Sequence, residues 1–97
     1  MEKSIIRVDR AGVFYGEINK TEKSPAGVIA EIANCRRLWY WDGAASLSQL
    51  AMEGVKKPGN CKFTVTVPSM TVIGVIEVIS CTQAAIKSIE AVPVWKF

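Results

Sequence analysis

The run Cys35-Arg36-Arg37-Leu38-Trp39-Tyr40-Trp41-Asp42-Gly43 holds two of the chain's three tryptophans, one of its two tyrosines and two adjacent arginines. Read as a strand, its period of two sends Arg37, Trp39 and Trp41 to one face and Arg36, Leu38 and Tyr40 to the other. The first face sets a cation beside two flat π surfaces, which suits stacking a base or other planar ring with an anion nearby. Arginine fits that anion well, because its planar fork pairs bidentately with phosphate. A plainer reading stands beside this one: aromatics form strands readily and bury large areas in cores and subunit interfaces. Two further candidates follow the run. Ser46 opens a helix whose first backbone N–H groups suit an anion, and Lys57 lies in a cationic loop. The expected ligand-binding set is therefore Arg36, Arg37, Trp39, Tyr40, Trp41, Ser46 and Lys57.

Bond-making chemistry has little to work with. The chain contains no histidine, so neither a Ser-His-Asp nor a Cys-His device can be assembled, nor the usual His-containing metal site. Asp9, Asp42, Glu53 and Glu77 show no spacing that pairs an acid with a base. The three cysteines, Cys35, Cys61 and Cys81, are odd in number and widely spaced, and read as reduced, mostly buried side chains. No catalytic residue, metal or cofactor is expected, and the chain reads as a binder and not an enzyme.

With 97 residues, 49% hydrophobic and 22% charged, the chain is one domain, residues 1–97, with a single modest core. A net charge of +3 favours anions in general. The basic residues alternate with Glu and form no dense patch, so specific duplex DNA is not an expected partner. No apolar run approaches the roughly 20 residues that span a bilayer, and the N-terminus opens with charges. The expected setting is the cytoplasm, with no membrane contact.

The elements that must position these residues are short. Residues 4–9 alternate as a first strand, Ala11-Gly12 turns the chain, and residues 13–18 return as a hairpin partner. The polar stretch 19–25 reads as a mobile loop. Residues 28–33 form a third strand, and Asn34-Cys35 turns the chain into the aromatic strand 36–41. Ser46 and Gln49 have the form of a capping box, with Gly54 placed as the C-terminal cap of a short helix. Residues 56–60 are an exposed loop, residues 63–67 a half-exposed strand, and Pro68-Ser69 a turn. Residues 70–80 are apolar on both faces except for Glu77, so they want cover on both sides; Gly74 marks a bulge or a close backbone approach. Thr82 caps a last helix over 83–91, and the alternating tail 93–97 can add an edge strand, even onto a neighbouring subunit.

These elements imply an α+β domain: a small, mostly antiparallel sheet curled into a barrel or sandwich, with two short helices. The strand 70–80 and the tail favour a homo-oligomer. Two arginines on opposite faces of one strand mean that one points to the apolar side or that both faces meet polar partners, and Glu31, Asp42 or Glu53 could supply the counter-charge that a buried one needs.

The stretch Arg36-Arg37-Leu38-Trp39-Tyr40-Trp41-Asp42-Gly43-Ala44-Ala45-Ser46-Leu47-Ser48-Gln49-Leu50-Ala51, with Lys57-Pro58-Gly59-Asn60-Cys61-Lys62-Phe63 and the ending Val92-Pro93-Val94-Trp95-Lys96-Phe97, resembles a family of small uncharacterised proteins encoded by bacteriophages and prophages. The resemblance carries no catalytic residue. It implies a setting in the host cell cytoplasm, among accessory proteins that counter host defence, several unrelated groups of which are homo-oligomers that sequester nucleotide immune signals. The functional expectation is thus a homo-oligomeric binder that sequesters a small nucleotide-like signal. The alternatives are an inhibitor that docks on a host defence protein through the aromatic and arginine surface, or a weak single-stranded nucleic-acid binder.

Overall fold

Alternating apolar residues and the turn at Gly12 make a hairpin of β1 (Ser4–Val8) and the start of β2 (Gly12–Ser24), in register from Ser4 opposite Gly16 to Val8 opposite Gly12. The structure, a computed structural model, describes residues 2–96. The polar stretch 19–25 is not a loop. β2 continues to Ser24 and turns through Pro25-Ala26 into β3 (Gly27–Tyr40), pairing Lys20 with Glu31 and Lys23 with Val28. A strand ladder satisfies the backbone groups of polar residues as well as those of apolar ones, and the exposed side chains of 19–23 stay in water.

Asn34-Cys35 is not a turn either. The β2–β3 register slips by one between the pairs Tyr15–Arg36 and Glu17–Ala33, so Asn34 and Cys35 together oppose Gly16 as a β-bulge, with Asn34 at φ 50°. Gly16 is what admits it: a Cβ there would lie 2.6 Å from Ile32 Cγ2 and 2.9 Å from the Ala33 carbonyl oxygen. The extra residue reverses the parity of β3. Ala30 and Ile32 share a core with Cys35, whereas Leu38 belongs to the core on the other face.

Ser46 caps the helix as read, and the reciprocal bond from Gln49 closes one residue earlier, on Ala45. Ser46 accepts from the Gln49 N–H at 3.2 Å, Gln49 Oε1 accepts from the Ala45 N–H at 2.8 Å, and α1 (Leu47–Glu53) ends on Gly54. A 3₁₀ turn (Pro58–Asn60) leads into β4, which is only Lys62–Phe63. Pro68-Ser69 lies inside β5 (Val67–Ile73) instead of ending a strand; β5 pairs with β3, and Pro68 falls opposite the bulge at Asn34, where the ladder is already interrupted. The long apolar strand expected over 70–80 is split at Gly74. Its φ of 101° bends the chain from the edge of β3, where its N–H donates to Val28 O, to the edge of β1, where its carbonyl accepts from Asp9 N–H. β6 (Val75–Ser80) then pairs with β1, and α2 (Gln83–Ala91) follows on the Thr82 cap.

The hydrogen-bonded order is β4-β3-β2-β1-β6, with β5 also on β3. The architecture is a mostly antiparallel sheet with two helices, and the sheet does not close into a barrel. The bend at Gly74 divides the last long strand between two sheet edges instead of carrying it along one. Both faces of the sheet are packed. On one, α1 and α2 bury Leu50, Ala51, Ala85 and Ile89 against Ile5, Tyr15, Leu38 and Phe63, and the larger of these side chains contribute about 2 kcal/mol each. On the other, Ile6, Val8, Phe14, Ala30, Ile32, Cys35 and Val72 form a cluster built by strands alone.

Candidate functional site

At its outer end β3 departs from simple alternation. The register with β4 slips between Leu38–Phe63 and Tyr40–Lys62, and the consecutive residues Trp39 and Tyr40 are both exposed, at 62% and 50%. Trp41 therefore does not share a face with Trp39, as strict alternation requires. It turns inward and packs against the helix-side core. A third, half-buried ring comes from the tail: Val94 bridges to Phe63, and the Trp95 N–H donates to Phe63 O at 2.9 Å. Trp95 thereby reaches Trp39, with ring centroids 5.0 Å apart and planes tilted by 33°. The Lys62 ammonium stands 5.4 Å from both indole centroids and 6.0 Å from that of Tyr40. The chain thus leaves three aromatic rings around one cation on an open surface, an arrangement suited to planar rings and anions.

The two arginines separate. Arg36 is buried, 4% exposed, and its guanidinium donates to Thr64 O at 2.7 Å, Ile89 O at 2.9 Å and Val92 O at 2.6 Å, lying 5.4 Å over the Phe63 ring. The counter-charge expected from Glu31, Asp42 or Glu53 is not what meets it. Arg36 binds the carbonyl-rich end of α2, where the helix dipole is negative, and burial draws its pKa down from the ordinary value. Beside it Tyr15 donates its hydroxyl to Glu90 at 2.7 Å, and Lys3 donates to the same carboxylate. These two bonds hold the Glu90 carboxyl below its usual range, while burial and the carboxylate raise the Tyr15 hydroxyl.

Arg37 is exposed, and its guanidinium stacks 4.8 Å over the edge of the strand-built core at Phe14. Its backbone N–H and carbonyl are tied to Thr64. Ser46 and Lys57 lie elsewhere: Ser46 uses its hydroxyl on its own helix, which has seven residues, and Lys57 begins the 3₁₀ turn. The Asp42 carboxylate accepts from Asn60 Nδ2 at 3.1 Å, fastening the loop after β3 to that turn. All three cysteines are free, and burial pushes the Cys35 and Cys81 thiols up to about 11.

Of the seven residues expected to bind, the structure groups Trp39 and Tyr40, keeps Arg37 exposed on the same strand, sends Arg36 and Trp41 inward, and leaves Ser46 and Lys57 in local caps. The half-buried Lys62 and Trp95 complete the group, although neither is among the residues expected to bind. The only signal for them was a lysine beside Phe63 and an alternating aromatic tail. Phe97, the last residue of that tail, lies outside the described residues. The chain belongs to the family described as Domain of unknown function (DUF6948), whose model matches residues 1–89. No curated protein and no solved structure matches it.

Proposed function

We propose that the chain is a non-catalytic binding protein whose Trp39, Tyr40, Trp95 and Lys62 surface stacks the base of a small nucleotide-like ligand, with Lys62 and Arg37 meeting its phosphates. The observation that carries this reading is the 5.0 Å Trp39–Trp95 pair with Lys62 placed 5.4 Å from each ring. The Trp39 ring stands largely outside the core at 62% exposed, and among the described residues no carboxylate pairs with Lys62. The resemblance of residues 36–51 to phage and prophage proteins supplies the setting. In it, the protein is a phage-encoded accessory factor that sequesters a nucleotide immune signal in the host cytoplasm.

Titration with cyclic dinucleotides, ADP-ribose derivatives and short single-stranded oligonucleotides, followed by tryptophan fluorescence, tests the reading. Binding is expected to quench emission. Trp39→Ala should abolish the response, and Arg37→Ala should weaken binding by about 1.5–3 kcal/mol, the range for a charge-assisted hydrogen bond. A silent panel, or a response that survives Trp39→Ala, refutes it. The openness of the surface favours a second reading, in which the same rings are hot spots for a host protein.

A further inference from the structure

We propose that β6 is the self-pairing strand of a two-fold homodimer, joined antiparallel to β6 of a second copy with Val78 on the axis. Among the described residues, β6 is the terminal strand of the sheet order and pairs only with β1. The direction of its backbone groups follows from its last bond to that side. The Cys81 N–H donates to Lys3 O at 2.8 Å, next to the Ser4–Ser80 pair. Backbone groups alternate along a strand, so those of Ile79 and Glu77 face β1, and those of Val78 and Ser80 face the open edge.

The side chains lack the usual protection of an edge. Ile76 and Val78 are 58% and 48% exposed, and β6 carries neither lysine nor proline. Its one charge, Glu77, is matched within the chain by Arg7 at 3.9 Å. An open groove of about 540 Å³ flanks this edge, lined by Val75, Ile76 and Val78 on the strand side and by Thr21, Glu22 and Lys23 of the hairpin. Within β6 itself a second copy meets no unmatched charge, and Glu22 and Lys23, of opposite sign, line the far side of the groove.

Charge and backbone direction select the register. An antiparallel pair related by a two-fold axis must place some residue opposite itself. Centred on Glu77, the row across the sheet would read Arg7, Glu77, Glu77, Arg7, with two carboxylates face to face. Centred on Ile76, the ladder would require the backbone of Gly74, which is already bonded to Val28 and Asp9. Centred on Val78, the row reads Ile6, Val78, Val78, Ile6. Each Glu77 then faces Ile79, and the outward groups of Val78 exchange both their bonds. This interface is separate from the Trp39 surface, so either can fail alone.

Light scattering coupled to size exclusion, from micromolar to near-millimolar protein, should show the mass rising from one chain of 10.6 kDa to twice that value. Val78→Lys, at a half-exposed position, should keep the far-ultraviolet spectrum and hold the protein at one chain. In Val78→Cys, the hydrogen-bonded pair brings the two Cα atoms to about 5.5 Å, within disulfide reach. Mild oxidation should cross-link it, while Val65→Cys, more exposed but off this edge, stays uncrosslinked. Amide exchange of the unmodified protein should slow at Val78 as concentration rises. A single-chain mass throughout, or a dimer indifferent to Val78→Lys, overturns the proposal.

Discussion

Arg36 and Arg37 are neighbours in sequence and opposites in role. Arg36 is enclosed by three carbonyl oxygens and the Phe63 ring, and acts as a strut between β3 and the end of α2. Arg37 is exposed and leads to Trp39, Tyr40 and Lys62. The inner side satisfies a buried charge with backbone dipoles, so that no carboxylate has to be buried with it. The outer side meets its cations with the faces of aromatic rings and keeps Arg37, Trp39 and Tyr40 in contact with solvent. In a small domain, the polar residue that the structure consumes and the one it leaves available can be a single position apart.

The largest test of this contrast is Arg36→Met, which keeps much of the apolar stem but removes the donors. It should destabilise the protein by about 3 kcal/mol or more, because the carbonyls of Thr64, Ile89 and Val92 lose a charged partner; the urea midpoint measures it. Arg37→Met, measured alongside, should stay within about 0.5 kcal/mol of the parent. Equal losses from the two variants would erase the distinction.

Gly16→Ala attacks the bulge that sets which face of β3 each arginine takes. Its Cβ would meet Ile32 and the Ala33 carbonyl, so a loss of about 2 kcal/mol is expected from overpacking. The thermal midpoint reports it. The buried thiol of Cys35, on the strand-built side, adds a pH dependence. Its folded-state pKa of about 11 lies above the ordinary 9.0, so its contribution is complete below pH 9 and is lost as pH rises through 11, on the order of 2 kcal/mol. Denaturant titrations at neutral and alkaline pH should show that loss shrink in Cys35→Ala.

The smallest effect on stability belongs to the most conspicuous residue. Trp39→Ala should change the unfolding free energy by about 0.5 kcal/mol or less, since the side chain is mostly in water and its cation contact is exposed. Its effect on binding should be complete. A large stability loss without any ligand response would move Trp39 from the available side of the comparison to the structural one.

Local signals were legible where short-range chemistry decides the outcome. The Ser46–Gln49 box, the Thr82 cap, the Gly54 stop and the first hairpin all depend on side chains reaching backbone groups within a few residues. Polar composition misled at 19–25, because a loop and an exposed hairpin arm carry the same residues; only the presence of β3 opposite Lys20 and Lys23 separates them. Asn34-Cys35 has the composition of a turn, yet Gly16 on the facing strand makes it a bulge.

The candidate surface was half legible for the same reason. The concentration of aromatics around Trp39 was plain from composition, and so was the need of a buried arginine for partners. Which arginine, and which rings stay together, required partners distant in the chain. Arg36 meets residues 64, 89 and 92, and Trp39 meets Lys62 and Trp95.

By itself, the sequence determined the element types at the caps, a mixed sheet-and-helix class, the lack of imidazole chemistry and the place where aromatic binding potential is concentrated, since each depends on residue identity and near neighbours. Tertiary structure alone decided the bulge that reverses the parity of β3, the division of the last long strand at Gly74 between two sheet edges, and which of Arg36 and Arg37 is buried. A strand's faces have no inside until other segments cover one of them, and a one-residue slip against a distant partner exchanges the two.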